Sequence, residues 1–161
     1  MKEAIKIVLK ERTLFDVYFL EGVVKRYDVL SLSDKFPQLN KLKDRSLFLK
    51  GKLLGWSTLY WNEELDIDIE TVYYEGIDVT NEYDDIDSAI IGYLIKEKRL
   101  EQNLSQQELA EKTGIDQSDL SKIEKGLANP SIKTIERIVK GLDSSLSMTL
   151  NMISKKSPIS F

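Results

Sequence analysis

The 161-residue sequence contains no cysteine and no histidine. Without cysteine there is no disulfide, no thiol nucleophile and no cysteine-ligated zinc or iron–sulfur cluster. Without histidine there is no Ser-His-Asp triad, no imidazole base and no imidazole metal ligand. No apolar run approaches the roughly 20 residues that span a bilayer. Met1-Lys2-Glu3 leads into alternating polar and apolar residues, not into a signal-peptide core. The expectation is a cytoplasmic chain with no membrane partner, no metal and no cofactor. Asp, Glu, Lys, Ser and Tyr remain for proton transfer or nucleophilic attack. They form no recognisable constellation, so no enzymatic activity is expected.

A strong basic excess is also missing. The chain carries 23 Lys and Arg against 27 Asp and Glu, a formal net charge of −4. Residues 1–86 hold 12 basic and 17 acidic side chains, net −5, and residues 87–143 hold 9 and 10, net −1. Non-specific nucleic-acid binders show a basic excess instead. Any DNA binding here must come from local placement of charge. What the chain does have, 42% hydrophobic and 9% aromatic residues, is globular composition.

The first half reads as small α+β. Residues 14–20 and 23–29 alternate and are joined through Glu21-Gly22, which predicts a hairpin. Residues 4–9 supply a strand beside it. Residues 33–48, with Pro37 and spaced leucines, suggest one or two short helical turns. Residues 50–54 and 57–61 make a second hairpin through Gly55, and residues 68–74 a closing helix. The division expected is a domain at 1–76, an acidic linker at 77–87, a helical domain at 88–143 and a strand and tail at 144–161.

The helical segment has clear punctuation. Ile90, Ile91, Leu94 and Ile95 lie at helical spacing. Ser105-Gln106-Gln107-Glu108 has the capping-box pattern, and Gly114 ends that helix. Asp116 is an N-cap candidate for a short helix closed by Gly126, and Pro130-Ser131 begin another. Leu109, Ala110, Ile115, Leu120, Ile123, Ile135 and Ile138 are expected to be core.

Two short helices separated by a glycine and one apolar residue are the helix-turn-helix arrangement. The ordered series Leu104-Ser105-Gln106-Gln107-Glu108-Leu109-Ala110, Gly114-Ile115, Leu120-Ser121-Lys122-Ile123-Glu124-Lys125-Gly126 and Asn129-Pro130-Ser131 resembles the lambda-repressor/Cro-type (Xre-like) DNA-binding domain. That resemblance implies an all-α domain of four to five helices and double-stranded DNA as partner. It implies that the helix beginning at Asp116 or Gln117 is the recognition helix. Gln106 would bind a phosphate and prop that helix. Gln117, Ser118 and Lys122 would face base edges, and Lys125, Asn129 and Ser131 would lie near flanking phosphates. Arg99 and Glu124 would form a structural salt bridge. The plainer alternatives are that Gln106 is simply exposed and that Gln117 and Ser118 merely favour a helix start; taken singly, Lys122 and Lys125 are more often solvated surface, and it is their place in the motif that lifts them. Asp119 departs from what a DNA-facing helix favours, although a carboxylate can accept from cytosine.

Leu146, Met148, Leu150 and Met152 alternate with polar residues, as a strand does. Pairing with the same strand of a second copy would give a homodimer that reads a palindrome; folding back on the N-terminal sheet is the alternative. Through residues 19–29, Leu42-Lys43-Asp44, Leu47-Phe48, Leu59-Tyr60-Trp61-Asn62, Leu65-Asp66 and Val72-Tyr73, about residues 4–76 resemble small α+β domains of unknown function encoded in toxin–antitoxin-like loci. That resemblance implies a second possibility beside a dimeric repressor: an antitoxin-type protein whose N-terminal domain binds a toxin. The acidic run Glu64, Asp66, Asp68, Glu70 shares one face if extended, as a carboxylate cation site, a surface for a basic partner or, more simply, a solvated edge.

Overall fold

The structure is a computed structural model and describes residues 1–143. The chain divides into two compact units, Met1–Tyr83 and a second beginning at Asp84. The strand expected at Leu146, Met148, Leu150 and Met152 lies outside the described residues. No described helix is long and apolar enough to cross a membrane.

The first unit contains two antiparallel sheets. One joins residues 4–9, 14–19, 24–28 and 77–78 in that spatial order, and the other joins residues 52–54, 58–62 and 65–68. In the first, β1 (Ala4–Leu9), β2 (Leu14–Phe19) and β3 (Val24–Asp28) form the expected meander. Gly22 takes the positive φ of +82° that the β2–β3 turn requires. The alternation in β2 sends Phe15, Val17 and Phe19 into the core, with Tyr27, Phe48, Leu59 and Trp61. Two 3-10 segments, Val29–Leu32 and the longer Pro37–Lys43, and α1 (Arg45–Phe48) fill the connection to the second sheet.

The second hairpin is also where expected: β4 (Lys52–Leu54) pairs with β5 (Thr58–Asn62), with Gly55 at φ +63° between them. Trp61 is core, and its Nε1 donates to the Phe48 carbonyl at 2.8 Å. The acidic run is split across elements. Leu65–Asp68 is a third strand, β6, with Leu65 and Ile67 inward and Asp66 and Asp68 exposed. Asp68 then caps α2 (Ile69–Glu75) by accepting from the Glu70 amide at 2.7 Å. Glu64 pairs with Lys41 at 2.7 Å, and Glu70 accepts from the Lys2 backbone amide. The four carboxylates therefore do not share one face. The apolar partners at 65 and 67 and the helix cap set their directions.

The largest difference from expectation is in residues 77–83, read from composition as linker. Ile77–Asp78 is a strand, β7, pairing with Lys25 and Arg26 of β3. Val79 is buried, and the Val24 amide donates to Thr80 Oγ1 at 3.0 Å. The acidic residues of this segment are held by basic partners on β3. Arg26 binds Glu82 at 2.8 Å, and Lys25 meets Asp78 at 3.4 Å. Tyr83 packs edge-on against Tyr18 and donates to Asp16.

The second unit is all-α in its described part. It comprises α3 (Ile86–Glu101), α4 (Gln106–Thr113), α5 (Gln117–Glu124) and α6 (Ile132–Gly141). Its core joins Ile95, Leu109, Ala110, Leu120, Ile123, Ile138 and Leu142. Ile115 is partly buried against this cluster, while Ile135 is only half-buried, because Ile138 and Val139 occupy the inward face of α6. At Gly92, α3 lies so close to α5 that a Cβ there would collide with the Ile123 carbonyl.

Candidate nucleic-acid interface

The geometry begins with α4. Ser105 accepts from the Glu108 amide at 3.1 Å, and Glu108 accepts from the Ser105 amide at 2.7 Å, so the capping box is closed in both directions. The Ser105 backbone hydrogen bond holds the Glu108 carboxyl below its ordinary pKa. Gly114, at φ +64°, ends the helix with its amide on the Ala110 carbonyl. A three-residue turn then starts α5. Asp116 occupies the N-cap position, but its side chain makes no capping hydrogen bond.

Helix α5 buries Leu120, Ile123 and Glu124 and exposes Gln117, Ser118 and Lys122. Glu124 is held in the interior by charge. Arg99 Nε donates to Glu124 Oε1 at 2.6 Å and Nη2 to Oε2 at 2.8 Å, a bidentate pair only 8% and 2% exposed at the two side chains. Arg99 Nη1 also donates to the Leu104 carbonyl at 2.7 Å, which closes the α3–α4 connection. The Glu124 hydrogen bond outweighs burial and raises the Arg99 pKa.

This pair determines the polar groups above it. Glu124 Oε2 also accepts from Gln106 Nε2 at 2.8 Å. A carboxylate can only accept, so the Gln106 amide must turn its nitrogen to Glu124 and its oxygen away. That oxygen accepts from Gln117 Nε2 at 2.8 Å. Gln117 is left with Oε1 and its second Nε2–H directed outward. A buried ion pair in this way sets the donor–acceptor order of an exposed side chain two links away.

The other sequence candidates have different surroundings. Lys125 and Asn129 are exposed, and Lys125 has no ion pair among the described residues. Ser131 is the N-cap of α6: its Oγ accepts from the Thr134 amide at 3.2 Å and shares a hydrogen bond with Thr134 Oγ1. Lys122 Nζ lies 3.3 Å from Asp119 Oδ1, so the unexpected carboxylate partly neutralises a cation on the same helix. Sequence reasoning missed Arg137, which sits on α6 and hydrogen-bonds the end of α4. No local pattern carries a contact 23 to 24 residues long.

The helix-turn-helix family model matches residues 95–148. This segment is a helix-turn-helix domain. The "HTH-type transcriptional regulator SinR" of Bacillus licheniformis is 46% identical over 63 residues, which are 38% of this chain and 57% of that protein. The "ImmF control region 10 kDa protein" of Bacillus phage phi105 is 45% identical over 53 residues, 33% of this chain and 59% of its own length. The chain thus spans less than two thirds of these curated relatives. Among solved structures, the restriction-modification controller protein C.Esp1396I, described as a tetramer on its 35-base-pair operator, is 37% identical with a TM-score of 0.39. The match covers 40% of this chain and 86% of that one.

Proposed function

We propose that this protein is a sequence-specific DNA-binding transcriptional regulator and that α5 is its recognition helix. The observation that carries the reading is the outward face of α5. Gln117, Ser118 and Lys122 are exposed there, while Leu120, Ile123 and Glu124 fix the helix from within. The helix-turn-helix match and the named regulators among the relatives support it. In this reading the N-terminal part of α5 enters the major groove. Gln117 offers an acceptor and a donor side by side, the pair that meets adenine N6 and N7. Lys122 and Ser118 face neighbouring base edges. Gln106 supports Gln117 at the phosphate side, and Lys125, Asn129 and Ser131 flank the backbone. In the same reading the protein is a homodimer that represses from a short palindrome.

Selection from a random duplex pool at low salt tests this directly. An enriched two-fold symmetric sequence is the expected result; no enrichment would remove the reading. On the selected duplex, Gln117→Ala should cost about 1–3 kcal/mol and lose preference at one base pair in each half-site. Lys125→Ala should weaken all duplexes alike and reduce the salt slope by about one unit. If neither substitution changes binding, α5 is not the reading element.

Asp119 gives an opposite-signed prediction. Asp119→Asn removes the carboxylate that engages Lys122 and faces the phosphates. Binding should tighten on every duplex, with a salt slope steeper by about one unit. Weaker binding, confined to duplexes with one particular base pair, would show instead that Asp119 reads a base.

A further inference from the structure

Helix α5 is tied at its C-terminal end through Glu124, but at its start it lacks the local tie that α4 has. Asp116 makes no capping hydrogen bond. The angle between α4 and α5 is set by their shared core, by the Gln106 hydrogen bonds to Glu124 and Gln117, and by whatever holds the three-residue turn 114–116. One side chain does so from a third helix. Arg137 Nη2, on α6, donates to the Thr113 carbonyl at 2.8 Å and to the Gly114 carbonyl at 2.9 Å.

We propose that Arg137 is a positioning residue for the recognition helix, fixing the turn that aims α5. The inference rests on the DNA-binding reading above. Thr113 and Gly114 carry carbonyls that a helix C-terminus leaves without intrahelical partners. A guanidinium there satisfies them and also complements the negative end of the helix dipole. The approach of α6 is built for this contact. Gly141, one turn beyond Arg137, lies directly against the Thr113 methyl, where any Cβ would collide. Asp116 and Asp119 line the same cleft as Arg137. The Arg137 guanidinium is committed to these two carbonyls through Nη2. Recognition helix α5 is held at one end from α3 by Arg99 and, through the turn, at the other from α6 by Arg137.

The test uses the full chain with Arg137→Gln and Arg137→Lys. Without DNA, hydrogen exchange at the Gly114 and Ile115 amides, both bonded to the Ala110 carbonyl, is followed against the Ile95 amide. Both variants should exchange about tenfold faster at 114–115 with Ile95 unchanged, because Nη2 bridges the two carbonyls from the end of a longer, planar guanidinium whose reach neither glutamine nor lysine reproduces. On the selected duplex, both should lose about tenfold of the discrimination against a change at the Gln117-dependent base pair. The salt slope should keep its wild-type value. Unchanged exchange at 114–115 overturns the tie to the turn. Unchanged discrimination overturns its role in aiming α5. A slope reduced by about one unit in Arg137→Gln and restored in Arg137→Lys makes Arg137 a direct phosphate contact instead. If the wild type selects no duplex, the DNA-binding reading fails by itself, and the exchange measurement still decides whether Arg137 holds the turn.

Discussion

Glu124→Ala is expected to destabilise the helix-turn-helix unit by about 3–5 kcal/mol. The substitution leaves the Arg99 guanidinium nearly buried with no carboxylate, and it also removes the acceptor of Gln106. In a unit this small, each kcal/mol moves the unfolding midpoint by roughly 4–8 °C. The helical signal in far-ultraviolet circular dichroism should therefore melt roughly 15 °C lower. A midpoint within about 2 °C of wild type, well below that shift, would show that the pair is not the anchor. The double variant Arg99→Met, Glu124→Leu separates charge from packing. Replacing both members of a buried pair by apolar groups is often neutral or stabilising. The double variant should recover most of the lost stability and still bind the selected duplex poorly, because Gln106 and Gln117 lose the carboxylate that orders them.

Asp16→Ala should produce a comparable loss in the other unit, about 3 kcal/mol. Asp16 is fully buried on β2, and three side chains converge on it. Arg26 of β3 grips it at 2.8 and 2.9 Å, Tyr83 donates to it, and Lys10 lies 3.6 Å away. The lower end of the range applies because Arg26 is partly exposed and keeps Glu82. Both tryptophans, Trp56 and Trp61, belong to this unit, so fluorescence follows it separately from the helical unit. An unchanged fluorescence midpoint would show that the cluster contributes little.

The same carboxylate gives a pH dependence with a definite sign. Burial pushes the Asp16 carboxyl up, but the hydrogen bonds from Arg26 and Tyr83 outweigh it and hold the pKa below the ordinary carboxylate value. A carboxyl depressed in the folded state stabilises above its unfolded value, and the contribution is lost as pH falls through the folded value. The fluorescence-monitored stability of the wild type should fall as pH drops below about 4. Asp16→Ala should fall less over that window. Parallel curves would place the acid sensitivity elsewhere.

Several features were legible in the sequence for reasons that are local. Both hairpins follow from period-two alternation around Gly22 and Gly55, and the structure places β2–β3 and β4–β5 there. The limits of α4 follow from Ser105, Glu108 and Gly114, each of which acts within four residues. The apolar spacing around Leu109, Leu120, Ile123 and Ile138 identified the inward faces of three short helices. In each case the determining interaction lies within one element or one turn, so the order of residues is enough to specify it.

Tertiary structure decided what depends on a partner distant in sequence. The acidic composition of residues 77–83 reads as solvated linker, yet Arg26, Lys25 and the buried Asp16 draw that segment onto the first sheet. The carboxylates at 64, 66, 68 and 70 were divided by a strand edge and a helix cap. Gln106 and Gln117 were readable as candidates, but the direction of their amides comes from a carboxylate held by an arginine 25 residues away. Arg137 carried no signal at all, since only the approach of α6 brings it to the Thr113 and Gly114 carbonyls. Local sequence sets which residues turn inward and where elements end. Where a buried charge or an unpaired carbonyl finds its partner is set by packing, because that choice is made between elements.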